Sequence, residues 1–448
     1  ISPNPSPQGS RPMRFDAPVL LYGAGREARS TRAFLKSREP DLKVYVTVDS
    51  GAADIDDAEL IPATELQSAI ETRRFGTIVK SPGVSRYKPI FLVAREAGIA
   101  VTSNLNLWGE YFRDSRTIIA ITGTKGKSTT ATLTHLMLTS AGLDAGLAGN
   151  VGLAPLEIAD KNKIVVFELS SYQTADMAFS PDIAAVTNLT PEHTDWHRTT
   201  ERYFADKLNL IDRESPFPVA LGVGAKDNPL VLAALRDRSR LLPQIAPFID
   251  DRIVAAVKRS KLKGEHNLDN ARLAAQIALA AGAGLEGIVR GIQAFVPLPH
   301  RLEEHQIGSI TLVNDSISTT PEATKAALAA YAGKKIALVA GGHERQQDYT
   351  ELASLLATRG VTILVALPVT GDRLATATYA AAPQIEVVEA GTLEAGLQAL
   401  AARRDKFDTI ILSPGAPSYG QLERSGIVFK NFEERGAAFV RIATKLFA

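Results

Sequence analysis

The sequence predicts an α/β protein of three domains, each built on a parallel sheet. Short apolar runs rich in Val and Ile alternate along the chain with helical patterns, which is typical of parallel sheets crossed by helices. Polar or glycine-rich turns follow many of these runs, at the strand ends where open α/β sheets bind ligands. At 448 residues the chain is also too long for one hydrophobic core.

We expect a disordered leader at residues 1–12 and a Rossmann-like domain at 13–114. A central domain with a P-loop ATPase-like parallel sheet is predicted at 115–297, and a C-terminal Rossmann-like α/β domain at 298–448. Prolines at 297 and 299 interrupt any helix and mark the linker between the last two domains.

Composition excludes several classes of protein. Hydrophobic residues make up 45% of the chain and charged residues 22%, which are ordinary values for a soluble globular protein. The formal net charge of +1 gives no global attraction to nucleic acid or to an anionic membrane. The absence of cysteine excludes disulfides and thiolate metal sites. No apolar run reaches the roughly 18 residues of a membrane span, so we expect a soluble, cytoplasmic protein.

The N-terminal domain opens with a nucleotide-type turn. A strand from Val19 leads into Gly23-Ala24-Gly25-Arg26, which has the Gly-x-Gly spacing of a dinucleotide loop. The next strand ends in Asp49-Ser50, near the offset of a ribose-binding acid, and a third ends in Ser81-Pro82-Gly83. Taken alone, this pattern fits a nicotinamide dehydrogenase as well as any other nucleotide-binding protein.

The most informative stretch begins the central domain. An apolar strand over 118–122 runs into Gly123-Thr124-Lys125-Gly126-Lys127-Ser128-Thr129, and a helical pattern follows. Glycines let backbone N–H groups approach a phosphate at the start of a helix. Lys127 would add a point charge, and the Ser128 hydroxyl a ligand for Mg²⁺. The glycines are closer together than in the common P-loop, so an ordinary βα turn stays open as an alternative.

Further polar residues follow neighbouring strands of the central domain. Glu168 ends one strand, His193 follows another, and Asn150 lies in a turn. We expect Lys127, Ser128, Glu168 and His193 to converge at the carboxyl edge of the sheet. Each has a simpler interpretation as a solvated strand-end or loop residue, as does Lys207 on a helix surface. His266, Asn267 and Asn270 suit a nucleotide at a helix start, although such residues also cap helices.

The motifs stand in the order found in the Mur ligases, and the resemblance covers nearly the whole chain after the leader. They are Gly-Thr-Lys-Gly-Lys-Ser-Thr, Glu-Leu-Ser-Ser, Asn-Leu-Thr-Pro-Glu-His-Thr-Asp, Gly-Glu-His-Asn-Leu-Asp-Asn-Ala, Leu-Pro-His-Arg-Leu-Glu and Asn-Asp-Ser. Within this family the chain is most similar to the branch that adds glutamate to UDP-N-acetylmuramoyl-L-alanine in peptidoglycan precursor synthesis. The resemblance implies ATP, two Mg²⁺ sites, an acyl phosphate and a tetrahedral intermediate.

The resemblance also implies a role for each matching residue. Lys127, His193 and Lys207 would be catalytic, and Ser128, Glu168, His193 and a carbamylated Lys207 would hold the metals. The ATP ligands would be Gly123, Thr124, Lys125, Gly126, Lys127, Ser128, Thr129, Asn267, Asn270, Arg301 and Asp315. The UDP substrate would meet Gly23, Ala24, Gly25, Arg26, Asp49, Ser50, Ser81, Pro82, Gly83 and Asn150. Glutamate would meet Thr319, Arg345, Ser418, Tyr419 and Phe432.

Three departures from the family pattern fall on the amino-acid side. The family's Asp-Ser-Lys-Ala-Thr is here Asp315-Ser316-Ile317-Ser318-Thr319, so a lysine is missing. Its Gly-Gly-Asp-Gly-Lys becomes a segment from Gly341 to Gln347 that has no lysine, and an insertion spans 419–429. Because the ATP motifs are intact, catalysis is expected to be retained and amino-acid recognition altered. This favours the branch that adds L-glutamate and relies on a separate glutamyl epimerase.

Two alternatives remain at this stage: the D-glutamate-adding ligase, and a P-loop nucleotide-binding regulatory protein without ligase activity. The expected partners are the two substrates and the downstream epimerase. We expect a monomer that binds neither nucleic acid nor membrane.

Overall fold

The computed structural model describes residues 15, 17–49, 53, 55–114, 116–190, 194–213, 216–262, 264–296, 299–344, 347–418 and 429–448. Three sheets carry the fold. The described chain forms two compact units, one of Ile1–Lys261 with His266–Phe295 and one of Leu262–Glu265 with Val296–Ala448. The first two sheets lie in the first unit and the third in the second, while the exact domain boundaries remain predictions.

The N-terminal sheet is fully parallel, with the order β3-β2-β1-β4-β5. Its elements are β1 (Val19–Tyr22), α1 (Arg26–Arg38), β2 (Val44–Thr47), β3 (Glu59–Leu60), α2 (Leu66–Glu71), β4 (Thr77–Lys80), α3 (Ile90–Glu96), β5 (Ala100–Thr102) and α4 (Asn104–Phe112). The strand order reverses between β1 and β4, and open α/β sheets bind ligands beyond such a reversal. The turns after Tyr22 and Lys80 meet at this point.

The central sheet is also parallel, with the order β10-β9-β6-β8-β7. Its elements are β6 (Thr117–Thr122), α5 (Lys127–Ser140), β7 (Ala145–Gly149), α6 (Pro155–Ile158), β8 (Ile164–Glu168), α7 (Ser171–Asp176), β9 (Ile183–Asn188), α8 (Thr194–His197), α9 (Thr200–Leu208), β10 (Val219–Gly224), α10 (Pro229–Leu235), α11 (Pro247–Lys258), α12 (Glu265–Ala280) and α13 (Leu285–Gln293). Residues 118–122 of β6 are at most 1% exposed, because helices cover both faces.

The first two sheets share a continuous core. Trp108 of α4 is fully buried, and its ring meets that of Phe167 of β8 edge to face at 4.7 Å. The indole N–H of Trp108 donates to the carbonyl of Ala159 over 3.0 Å. This packing fixes the N-terminal sheet against the central one and positions its nucleotide-type turn.

The C-terminal sheet has the order β11-β12-β16-β13-β14-β15. Its elements are β11 (Glu303–Ile307), β12 (Ile310–Asn314), α14 (Pro321–Ala330), β13 (Ile336–Ala340), α15 (Thr350–Leu356), β14 (Val361–Ala366), α16 (Thr370–Ala381), β15 (Glu386–Glu389), α17 (Leu393–Ala401), β16 (Thr409–Leu412) and α18 (Phe432–Phe447).

Two details differ from the sequence prediction. Strand β11 pairs antiparallel with β12, so the third sheet is mixed rather than parallel. The sequence analysis missed this hairpin because β11 alternates charged and polar residues on an edge, without the apolar run of a buried strand. Helix α12 begins at Glu265, so His266, Asn267 and Asn270 lie in its first turns rather than before it.

Candidate active site

The loop between β6 and α5 is tightly constrained by its neighbours. Gly123 and Gly126 have φ angles of +141° and +81°, which side chains other than glycine rarely adopt. A Cβ at Gly123 would lie 1.9 Å from the Thr187 hydroxyl, and one at Gly126 would lie 2.5 Å from Asn270 Oδ1. Gly126 is also the N-cap of α5 and offers no side-chain cap. The first N–H groups of α5 therefore have no intrahelical acceptor and favour an anion.

Asn188, at the end of β9, holds the loop in place. Its Oδ1 accepts from Thr124 N at 3.1 Å and from Lys125 N at 2.8 Å. Its amide also donates to the carbonyl of Lys125 over 3.2 Å. Lys127 Nζ folds back to donate to the Thr124 carbonyl over 2.9 Å, so its charge is held at the loop. The loop therefore has the geometry expected of a phosphate cradle.

Glu168 ends β8, the strand directly beside β6, and is paired in register with Ile121. Its side chain is 0% exposed, and neither carboxylate oxygen has a hydrogen-bond partner among the residues that the structure describes. A buried carboxylate without hydrogen-bond donors destabilises the folded state. A cation bound beside Glu168 would offset this destabilisation. Ser128, half-buried in the first turn of α5, supplies a hydroxyl at the same sheet edge.

Two side chains of helix α9 form hydrogen bonds with the loop after β6. Lys207, 2% exposed, donates from Nζ to the Gly123 carbonyl over 2.8 Å. One turn earlier, the hydroxyl of Tyr203 lies 2.9 Å from that of Thr124, which also donates to the Thr190 carbonyl. Lys207 is therefore not the surface lysine of the simpler interpretation.

A buried hydrogen-bonded chain runs behind the loop and was not found from the sequence. His197 is 0% exposed, with Nδ1 2.6 Å from Asp206 Oδ2 and Nε2 2.9 Å from the Ser171 hydroxyl. Tyr87, from the N-terminal domain, donates its hydroxyl to both oxygens of Asp206 over 2.8 Å. Because Ser171, His197 and Asp206 are all buried, the chain holds α7, α8 and α9 together rather than attacking a substrate.

Asp49, which follows β2, lies beside the end of β1 in a charged, hydrogen-bonded group. Asp49 accepts from Tyr22 at 2.7 Å and from Lys88 at 2.6 Å. Partial burial opposes ionisation, but the hydrogen bonds from Lys88 and Tyr22 outweigh it and lower the pKa of Asp49. The Ser81 hydroxyl nearby is buried and has no hydrogen-bond partner among the described residues, which leaves it available to a ligand.

The Arg26 side chain connects the nucleotide-type turn after β1 with the turn after β7. From the start of α1 its guanidinium donates to the carbonyls of Gly149, Asn150 and Gly152, at 2.5, 3.3 and 2.8 Å. Asn150 is exposed, and its N–H donates to the Glu168 carbonyl over 2.8 Å. The predicted UDP side and the phosphate loop are thus connected through the turn after β7.

The adjacent Glu27 is buried against the central domain. Gln173 donates to its Oε1 over 2.7 Å, whereas its Oε2 has no partner. Burial raises the pKa of Glu27 to about 7, although hydrogen bonding from Gln173 opposes this. Nearby, Lys80 forms a buried ion pair with Asp176 at 2.6 Å.

Helix α12 brings Asn270 beside the loop at Gly126, and Asn267 beside Asn270. Asn270 Nδ2 donates to Asn267 Oδ1 over 3.2 Å, and Asn270 Oδ1 accepts from Thr130 at 3.4 Å. His266 precedes them in the first turn of α12. Both asparagines therefore border the phosphate cradle within the first unit.

In the second unit, Asp315 directly follows β12 and is 3% exposed. It accepts from the hydroxyls of Ser318 at 2.5 Å and Ser413 at 2.8 Å, and from Leu302 N at 3.2 Å. Burial raises the pKa of Asp315 to about 6 against the effect of these donors. Its hydrogen bonds here are internal to the domain, and its role toward ATP, like that of Arg301, stays a prediction.

Of the predicted glutamate ligands, three belong to the described chain. Ser418 is buried, Thr319 is half-buried, and the carbonyl of Phe432 accepts from the Ser316 hydroxyl at 2.8 Å. Arg345 and Tyr419 lie outside the described residues, as do Ser50 and His193 from the other predicted sets.

Two family models match the chain. The model described as Mur ligase middle domain covers residues 121–238, and the model described as Mur ligase, glutamate ligase domain, covers 300–415. The UDP-N-acetylmuramoyl-L-alanine--L-glutamate ligase of Xanthomonas euvesicatoria pv. vesicatoria is 33% identical over 95% of this chain and 94% of its own. The chain belongs to the Mur ligase family.

Solved structures show the same fold for this Mur ligase. The UDP-N-acetylmuramate-alanine ligase of Thermotoga maritima superposes with a TM-score of 0.58 at 16% identity, covering 95% of this chain and 98% of that one. The MurF ligase of the same organism, in complex with ADP, gives 0.56 at 14% identity, covering 96% and 94%. The three-domain α/β architecture is therefore confirmed, and ATP use is consistent with the family.

Among the described residues of this Mur ligase, no cluster of three or more His, Asp or Glu side chains forms a ready metal site. His193 and the side chains of residues 194 and 195 do not belong to that described part. Nor does any described helix have the length and apolarity to cross a membrane.

Sequence reasoning missed several residues that shape the site in the first unit of this Mur ligase: Thr187, Asn188, His197, Tyr203 and Asp206. Asn188 carried a usable signal, because it stands at a strand end at the start of the Asn-Leu-Thr-Pro motif. His197 and Asp206 carried none, since their pairing depends on how α8 turns against α9.

Proposed function

We propose that this Mur ligase joins L-glutamate to UDP-N-acetylmuramoyl-L-alanine with consumption of ATP, in the synthesis of peptidoglycan precursors. The observation that carries the proposal is the 33% identity over 95% of the chain to a ligase of that name. The phosphate cradle beside the unpartnered Glu168 supports ATP-driven chemistry. The departures at Ile317 and 343–347 support a changed amino-acid site.

In the proposed reaction, a carboxylate oxygen of the muramoyl-alanine substrate attacks the γ-phosphorus of ATP and releases ADP. The amine of glutamate then adds to the acyl phosphate, and the tetrahedral intermediate collapses by releasing phosphate. No protein nucleophile is needed, so the side chains bind, orient and neutralise charge. Lys127 and the first N–H groups of α5 would hold the phosphates.

The residues fit a divalent cation at this edge of the sheet. Glu168, with two buried unpartnered oxygens, and the Ser128 hydroxyl offer hard oxygen ligands of the type that Mg²⁺ prefers. Bound there, Mg²⁺ would neutralise charge developing on the transferred phosphoryl group. His193 and carbamylated Lys207 are proposed for a second Mg²⁺. The carbamate would turn the buried ammonium into an anion.

The other predicted site residues are assigned to the nucleotide of ATP, the UDP-linked substrate and glutamate. Asn267, Asn270, Arg301 and Asp315 are proposed for the nucleotide of ATP. The turn from Gly23 to Arg26, together with Asp49, Ser50, Ser81, Pro82, Gly83 and Asn150, is proposed for the UDP-linked substrate. Thr319, Arg345, Ser418, Tyr419 and Phe432 are proposed for glutamate, and an epimerase would invert the added residue afterwards.

The test is phosphate release by the purified protein, with each component omitted in turn. We expect release only when ATP, Mg²⁺, UDP-N-acetylmuramoyl-L-alanine and glutamate are all present, with an amide product detected by mass spectrometry. ATP hydrolysis that is indifferent to both acceptors would instead support a nucleotide-binding regulatory protein, which the phosphate cradle alone would also permit.

A further inference from the structure

Arg435, in the second turn of α18, is a charged residue enclosed by protein. Its side chain is 0% exposed, and no ion pair joins it to a carboxylate in the described part of the chain. Burial lowers the pKa of its guanidinium to about 9. A buried cation without a counter-charge is costly, so its presence in the C-terminal domain calls for an explanation.

The guanidinium sits where three adjacent strands of the sheet end. Its Nε donates to the Ser316 hydroxyl over 3.0 Å, and its Nη2 donates to the carbonyls of Ser316 and Ala416 over 2.8 and 3.1 Å. Ser316 follows β12 and Ala416 follows β16, while Gly342 follows the next strand, β13. This is the carboxyl edge, where open α/β sheets bind ligands.

The third guanidinium nitrogen, Nη1, is buried and has no acceptor within the described part of the chain. It faces Gly342, where a Cβ would lie 3.0 Å from Nη1 and 2.4 Å from the Pro417 carbonyl. Only glycine therefore lets the backbone after β13 close over the guanidinium. The backbone is fixed there by His343 N, which donates to the Pro417 carbonyl over 2.8 Å.

The two residues against which this charge lies each precede a stretch that lacks a family lysine. Ile317 follows Ser316, the main partner of Arg435, and His343 follows Gly342. Arg435 thus places a positive charge at both strand ends. Because neither solvent nor, in the described part of the chain, a paired acid screens it, its field extends beyond the carboxyl ends of the strands.

We propose that Arg435 is the charge that selects an amino acid with a side-chain carboxylate, acting through the backbone of the strand ends as a positioning residue. This inference rests on the proposed ligase function and adds a specificity determinant to it. Its field favours a second carboxylate beyond the carboxyl ends of the strands, and its hydrogen bonds hold the ends of β12 and β16 around that position.

The test compares L-glutamate with L-glutamine, its neutral isostere, in ligation by the full-length enzyme. Arg435→Met should lower kcat/KM for L-glutamate about tenfold more than kcat/KM for L-glutamine, a typical loss for one charge interaction. The KM for ATP should stay within about twofold, and Arg435→Lys should restore most of the preference. Arg441→Met, on the exposed face of the same helix, is the matched control.

If Arg435 has only a structural role, we expect a different result. Equal loss with both amino acids would mean that Arg435 only holds the strand ends together, and would overturn the inference. If Arg435→Met does not fold, Arg435→Lys decides: a raised KM for L-glutamate with its preference over glutamine retained supports the role, and an unchanged KM contradicts it. Failure of the wild-type enzyme to ligate L-glutamate would instead refute the proposed function.

Discussion

Glu168 links the stability of this ligase to its proposed metal. Because both carboxylate oxygens are buried without donors, Glu168→Gln should stabilise the ligand-free protein by about 1–3 kcal/mol. The same change should abolish most ligase activity and reduce the rise in melting temperature on adding Mg²⁺ with ADP. Thermal unfolding with and without ligand measures both effects, with the exposed Glu201→Gln as control. Equal ligand stabilisation of the variant and the wild type would exclude Glu168 as a metal ligand.

Lys207 is held 2.8 Å from the Gly123 carbonyl and is nearly fully buried. If it is carbamylated as proposed, Lys207→Ala should reduce kcat at least about 100-fold, as expected for loss of a charge that organises phosphoryl transfer. Added formate or acetate should restore part of the activity by supplying the missing anion. Exposed Lys258→Ala should behave like wild type. Absence of a carbamate signal in ¹³C NMR after labelling with ¹³C-bicarbonate would argue against the modification.

At the scale of elements, the short helices α8 and α9 depend on the His197 chain. His197→Ala leaves Asp206 and the Ser171 hydroxyl short of a buried partner, so we expect a loss of about 3 kcal/mol in the free energy of unfolding. Ala205→Ser, on the exposed side of α9, should cost less than about 0.5 kcal/mol. Urea denaturation compares the two, and a similar small effect for both would mean that the chain is not a structural link.

Helix α1 makes the junction of the first two sheets sensitive to pH through Glu27. Its pKa is raised from 4.5 to about 7 in the fold, so the folded state favours the neutral form. Stability that is present below pH 4.5 should therefore be lost as pH rises to about 7, by about 3 kcal/mol. Glu27→Gln should remove this dependence and be the more stable protein at pH 8. Denaturant midpoints at pH 5 and pH 8, with exposed Glu96→Gln as control, measure it.

Elements were predictable to different degrees, for physical reasons. Buried parallel strands such as β6 and β9 appear in the sequence as apolar runs with β-branched residues, and the sequence analysis predicted both. The edge strand β11 has no such apolar run, because one of its faces is exposed to solvent. The sequence analysis therefore did not predict it. Helix α12 starts at Glu265, earlier than the sequence analysis predicted. Its polar first turn resembles a loop when the surrounding structure is unknown.

For the molecule as a whole, the sequence predicted three α/β domains, and the structure and the family confirm them. It also predicted that residues far apart in the chain would meet at one sheet edge. Lys127, Ser128 and Glu168 do lie on neighbouring elements there, with Lys207 bonded to the loop. Contacts that depend on side-chain packing between elements, such as those of Asn188 with the loop and Arg435 with the strand ends, leave no periodic signal in the sequence.

The central claim is that this Mur ligase adds L-glutamate. The most direct measurement offers the enzyme an equal mixture of isotopically distinguishable L- and D-glutamate with UDP-N-acetylmuramoyl-L-alanine, ATP and Mg²⁺, followed by mass analysis of the ligated product. We predict a product that carries almost only the L-isomer label. A product that carries the D-isomer label would contradict the account and identify the D-glutamate-adding ligase instead.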